Sequence, residues 1–167
     1  MTVTFEEFVA ARGAALVRFA RLLTGDPHRA EDLVQEALAR AYLRWESIVR
    51  TEQPDAYLRR MVINSSHSWW RRRSNRETPT AELGDRVAPG NLDNEAAERD
   101  AMWQQIARLS ERQRAVLVLR YYEDLDDATI ADILGCSAVT VRSHALKALN
   151  ILRAHVGVAR TTSGRAR

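Results

Sequence analysis

A chain of 167 residues, 46% hydrophobic and 28% charged, is long enough for one ordinary domain or two small ones and has the balance of a folded protein rather than a disordered one. No stretch approaches the roughly 18 apolar residues of a membrane-spanning helix, and the start MTVTFEEFVAARG lacks the basic-then-apolar order of a secretory signal, so a cytoplasmic protein is expected. The single cysteine, Cys136, excludes an internal disulfide framework and a Cys-rich zinc site, and the seven glycines form no phosphate loop.

Residues 5–23 place Phe5, Phe8, Val9, Leu16, Phe19, Ala20 and Leu23 on one helical face, and Thr24-Gly25-Asp26-Pro27 ends the run. A second helix is expected from Pro27 to Trp45, with a core stripe at 33, 34, 37, 38, 41, 42 and 45. A third begins near Pro54, a good first-turn residue, and turns Tyr57, Leu58, Met61 and Val62 inward. It runs into NSSHSWWRRRSNR, residues 64–76. Adjacent tryptophans are separated by about 100° around a helix axis, so at least one of Trp69 and Trp70 faces outward. With Arg71, Arg72, Arg73 and Arg76 beside them, they suit unstacked bases and a phosphate backbone. A solvated basic helix end, favoured by the macrodipole, is the plainer alternative.

Residues 77–100 contain Pro79, Gly84, Pro89 and Gly90 with no sustained apolar period, and read as a flexible linker. Charge marks the same boundary. Residues 1–76 hold 13 Arg against 9 acids, net +4; 77–100 hold 2 Arg against 7 acids, net −5; 101–167 hold 10 Arg and Lys against 6 acids, net +4. Two basic blocks, 1–76 and 101–167, thus flank an acidic connector; the modules expected are 1–76 and 101–158, with a disordered tail over 159–167. The fold class expected is all-α, two small helical domains joined by that linker.

In the second module Ile106, Leu109, Val116, Leu117, Leu119 and Leu125 build short helices around Ser110, a capping residue followed by Glu111. Asp126 caps a helix burying Ile130, Ile133 and Leu134, Gly135 supplies a left-handed end, and Ser137 caps a helix burying Val141, Ala145, Leu149 and Leu152. This is a helix-turn-helix over 126–149, whose second helix offers Ser137, Thr140, Arg142, Ser143, His144 and Lys147 near its start, where a recognition helix meets base edges and phosphates. A plain helical hairpin with a polar face is the alternative.

In this order the segments resemble a bacterial RNA polymerase sigma factor of the extracytoplasmic-function group in the sigma-70 family, and within it the small actinobacterial SigE-type members, over about residues 5 to 155. AEDLVQEALARAY, residues 30–42, is similar to the part of region 2 that docks on the polymerase clamp helices, which implies Asp32, Leu33, Gln35 and Glu36 as core-polymerase contacts. PDAYLRRMVINSSHSWWRRRSNR resembles the part that opens the −10 element and implies Tyr57, Arg60, Asn64, Trp69, Trp70, Arg71, Arg72, Arg73 and Arg76 as DNA contacts. Ser68 stands where family members usually have Asp, and the tryptophans replace the His-Leu pair that follows. LSERQRAVLVLRYYEDLDDATIADILGCSAVTVRSHALKAL resembles region 4, which reads the −35 element; Val139, Arg142 and His144 replace the Gly, Lys and Arg common there.

The resemblance implies core RNA polymerase (the largest-subunit clamp helices and the flap of the second subunit) and promoter DNA as partners, no cofactor and no catalytic residue. Many relatives are held by an anti-sigma factor, so such a partner is admitted too. A stand-alone helix-turn-helix regulator of duplex operators is the alternative, but it leaves DLVQE and the Trp-Arg cluster without a role. An enzyme is disfavoured because His28, His67, His144 and His155 lie in separate segments without metal-ligand spacing, and no metal is expected.

Overall fold

The computed structural model describes residues 2–51, 53–76 and 101–163, with the side chains at 51, 70, 73–76 and 156–163 left outside the description. The sequence expectations for the 77–100 linker, for the side chains of Trp70, Arg73 and Arg76, and for residues 164–167 of the tail therefore lie outside the described residues. Among the described residues the regular structure is helical and no strand occurs.

Helix α1 (Phe5–Thr24) opens with a reciprocal cap. The Thr4 hydroxyl accepts from the Glu7 amide, and the Glu7 carboxylate accepts from the Thr4 amide. It ends at Gly25, whose φ of 69° is left-handed. Asp26 then caps α2 (Pro27–Tyr42) by accepting from the amides of His28 and Arg29. The second helix thus stops at Tyr42 rather than running on to Trp45. Trp45 instead begins α3 (Trp45–Thr51), with its indole N–H donating to the Val3 carbonyl at 3.0 Å and its ring against Phe5 and Phe8. Those long-range contacts re-aim the chain, and Tyr42, expected in the core stripe, is 59% exposed. Helix α4 (Pro54–Arg76) completes the first module.

In the second module α5, helical through 101–106, is followed by α6 (Glu111–Leu117), capped by Ser110 and Gln113 in the same reciprocal manner. A π-helical turn, Val118–Tyr122, leads through Asp124, a non-glycine at φ 53°, into α7 (Asp127–Leu134). Gly135, at φ 65°, separates α7 from α8 (Ala138–Ser163). Helix α8 continues past residue 158, where the tail was expected to begin, because residues 159–163 contain neither Gly nor Pro; Gly164 follows its end.

The two modules share one apolar core, in which Phe19, Leu58 and Val62 of the first join Val116, Leu119 and Ile130 of the second. Polar contacts fasten the same boundary. Arg59 of α4 pairs with Glu123, and both side chains are only about one-tenth exposed. His67 meets Glu111, and the Arg60 guanidinium donates to the Asp132 carbonyl at 3.3 Å. Arg114, 3% exposed, sits over the Trp103 ring and donates to the carbonyls of Leu23 and Leu109 at 2.8 and 3.2 Å. Burial depresses its pKa below the ordinary arginine value, and the Glu111 charge partly opposes this.

Candidate nucleic-acid interface

Helix α8 begins with a local cap: the Ser137 hydroxyl accepts from the Thr140 amide at 3.1 Å and lies 2.9 Å from the Thr140 hydroxyl. Beyond it Arg142, Ser143 and Lys147 are exposed, whereas Thr140 and His144 are half-buried. The Arg142 guanidinium is 3.8 Å from the Asp127 carboxylate, a loose surface pair that leaves the side chain 57% exposed. His144 is held below its ordinary pKa, first by burial and then by the charges of Lys147 and Arg112, so it is neutral at pH 7. Sequence reading missed Val139 and Leu146, 67% and 59% exposed on this helix. Their spacing from Arg142 and Ser143, three to four residues, was the available signal.

In the first module α2 and α4 enclose a pocket of about 230 Å³, lined with polar groups from Arg29, Arg40, Asn64, Ser65, Ser68 and Arg72. Arg40 is paired with Glu36 at 2.5 Å. The Arg29 guanidinium lies over the Trp69 ring, 5.0 Å from its centre. Of the expected −10 residues, Asn64, Arg71 and Arg72 are exposed and Trp69 is half-buried. Tyr57 is half-buried against the core, and Arg60 is turned toward α7, away from this pocket.

Of the expected polymerase contacts, Asp32, Gln35 and Glu36 are exposed on α2. Leu33 is corrected to a core position: it is 2% exposed, because it shares the inward stripe of α2 with Ala30, Val34 and Ala37. Arg29 and Arg40 were not singled out from sequence, since only the packing of α2 on α4 turns them toward Asn64. Among the described residues no group of His, Cys, Asp or Glu converges as a metal site, and no helix is long and apolar enough to cross a membrane.

A helix-turn-helix with an open polar face, beside a second helical module in the same chain, is the architecture of a DNA-binding transcription protein. Residues 8–76 match the family model for sigma-70 region 2, and residues 99–152 match sigma-70 region 4. The chain is 43% identical over 162 residues to the RNA polymerase sigma-E factor of Streptomyces coelicolor, covering 97% of this chain and 90% of that protein. It is 36% identical over 155 residues to the ECF RNA polymerase sigma factor SigL of Mycobacterium tuberculosis, covering 88% and 87%. The sigma factor RpoE of Bartonella quintana, solved with the anti-sigma factor NepR, superposes with a TM-score of 0.71 at 25% identity, over 92% of this chain and 97% of that one. The chain belongs to the sigma-70 family, in its extracytoplasmic-function group of SigE type. It is a sigma factor: it directs core RNA polymerase to promoters and initiates transcription there.

Proposed function

We propose a residue-level division of labour for this activity. Residues 1–76 form the module that docks on the polymerase clamp and holds the opened −10 element. Asp32 and Gln35 on the outward face of α2 are its polymerase contacts, with Glu36 at the edge of that face. Asn64, Arg71, Arg72 and the tryptophan pair, extended by Arg73 and Arg76, take the unpaired non-template strand. Extruding a base costs a few kcal/mol, and stacking at about 1–3 kcal/mol per base, with phosphate contacts, offsets it.

Residues 101–158 form the module that reads the −35 element with Arg142, Ser143 and Lys147, supported by Ser137, Thr140 and His144 at the helix start. The exposed polar side chains of Arg142, Ser143 and Lys147, set on α8 beyond a capped turn, are the observation that carries this reading. The acidic connector 77–100 joins the modules on the polymerase, whose flap receives the second one. The protein acts in the cytoplasm, has no catalytic activity of its own, and takes an anti-sigma factor as a further partner, by analogy with the Bartonella sigma factor.

Run-off transcription with purified actinobacterial core polymerase and a fragmented genomic library tests the reading. Discrete starts are expected only when the protein is present, and they are expected to disappear for the double variant Asp32→Ala, Gln35→Ala. Tight binding to duplex operators without any binding to core polymerase would replace this reading by that of a simple regulator.

A further inference from the structure

We infer that Arg29 is a phosphate-binding residue for the unwound promoter strand, held in position by Trp69, and that the pocket between α2 and α4 seats one backbone phosphate of that strand. The inference deepens the reading of α4 as the −10 face and rests on it.

The charge in the pocket is uneven. Three guanidinium groups and one carboxylate line it; Arg40 pairs with that carboxylate, Glu36, at 2.5 Å, which leaves Arg29 and Arg72 without an ion-pair partner among the described residues, beside Asn64, Ser65 and Ser68. The Arg29 Nε is buried and has no hydrogen-bond partner among the described residues. With Nε occluded and unable to spread the charge onto a neighbour, the terminal amino groups of Arg29 are the ones left to meet an anion in the pocket, and a planar fork suits the paired oxygens of a phosphate better than a lysine ammonium does. Trp69 restrains the fork by a cation–π contact, with the guanidinium carbon 5.0 Å from the ring centre. One face of the indole is thereby taken by Arg29, so Trp69 acts as a positioning residue rather than only as a platform for a base.

A strand fits this site better than a free anion. The pocket, at about 230 Å³, is several times the volume of a water molecule and accommodates a phosphodiester with part of its hydration. Beside it, exposed Arg71 lies 3.5 Å from the Ser68 hydroxyl of the pocket lining, so the positive charge extends beyond the pocket along α4. Helix periodicity accounts for the placement on α2. Arg29, Leu33, Glu36 and Arg40 follow one stripe facing α4, while Asp32 and Gln35 lie on a neighbouring stripe, so one helix serves both DNA and polymerase.

The test uses reconstituted holoenzyme and fork-junction promoter DNA in which single non-template phosphates of the −10 element are replaced, one at a time, by neutral methylphosphonates. Wild-type holoenzyme is expected to lose about tenfold in affinity at one position. Arg29→Ala is expected to lose a similar factor on unmodified DNA and nothing further at that position. Its log–log salt dependence should be shallower by about 0.7, the contribution of one single-strand phosphate contact. Arg29→Lys keeps the charge and the fold, and is expected to retain the salt slope while losing part of the affinity. Trp69→Ala should resemble Arg29→Ala, with partial rescue by Trp69→Phe.

Equal sensitivity of wild type and Arg29→Ala to every methylphosphonate overturns the inference. So does an Arg29→Ala defect that is confined to polymerase binding, or one that appears only when bases are removed at abasic positions. Failure of wild-type holoenzyme to bind any fork DNA overturns the reading of α4 itself, and the inference with it.

Discussion

His144 sits on the recognition helix between the charges of Lys147 and Arg112, and Arg112 is itself anchored by donation to the Leu134 carbonyl at 3.0 Å. Its Nδ1 is buried without a partner among the described residues. Its pKa is lowered in the folded protein, so below the ordinary histidine value of about 6.5 the unfolded chain takes up the proton first. Stability therefore falls as pH drops through that range and is regained above it. The urea midpoint is expected to fall between pH 7.5 and pH 5, and His144→Asn, neutral throughout, should lose part of that dependence. An unchanged slope in the variant would show that another group governs it. The sequence makes His144 visible as a departure on the recognition helix, but not as a half-buried neutral group, because the flanking Arg112 comes from a different helix.

Among the elements, those with local signals were legible. Ser110, Asp126 and Ser137 cap the helices they precede, and Gly135 closes α7 in the left-handed conformation, because each of these effects acts within one turn of chain. The end of α2 at Tyr42 was not legible, since what redirects the chain is Trp45 meeting Val3, Phe5 and Phe8 some forty residues away. The π-helical turn and the burial of Arg114 were hidden for the same reason. Ser137 carries the prediction at this scale. Its hydroxyl serves as the cap of α8, so Ser137→Ala is expected to cost about 1 kcal/mol in chemical denaturation. Ser137→Asp keeps a capping oxygen and a favourable charge at the helix N-terminus, and should preserve stability. The same carboxylate faces incoming phosphates, so Ser137→Asp holoenzyme is expected to bind −35 duplex more weakly than Ser137→Ala holoenzyme. Equal DNA affinities for the two variants would place residue 137 away from the phosphate backbone.

The whole molecule poses a problem of distance. Elements centred about 25 base pairs apart are separated by about 85 Å at ~3.4 Å per base pair. A compact chain of this length has a radius of gyration of about 15 Å. In the closed arrangement Asp132, held by Arg60 of α4, is only six residues from the start of α8, so the two DNA faces cannot reach both elements together. On the proposed division of labour the modules therefore separate on the promoter, within the reach of a 24-residue connector whose extended length is at most about 86 Å. What resists separation is the shared core and the Arg59–Glu123 pair, buried on both sides. Glu123→Arg opposes two like charges at that point, and breaking a buried pair costs about 3–5 kcal/mol. Small-angle scattering of the free protein should then give a larger radius of gyration for Glu123→Arg than for wild type, and the charge swap Arg59→Glu, Glu123→Arg should restore the compact value. If opening precedes docking, Glu123→Arg also binds core polymerase more tightly, by the factor through which the open population rises. A scattering curve unchanged by Glu123→Arg would show that the apolar core and the remaining polar contacts hold the modules together without this pair.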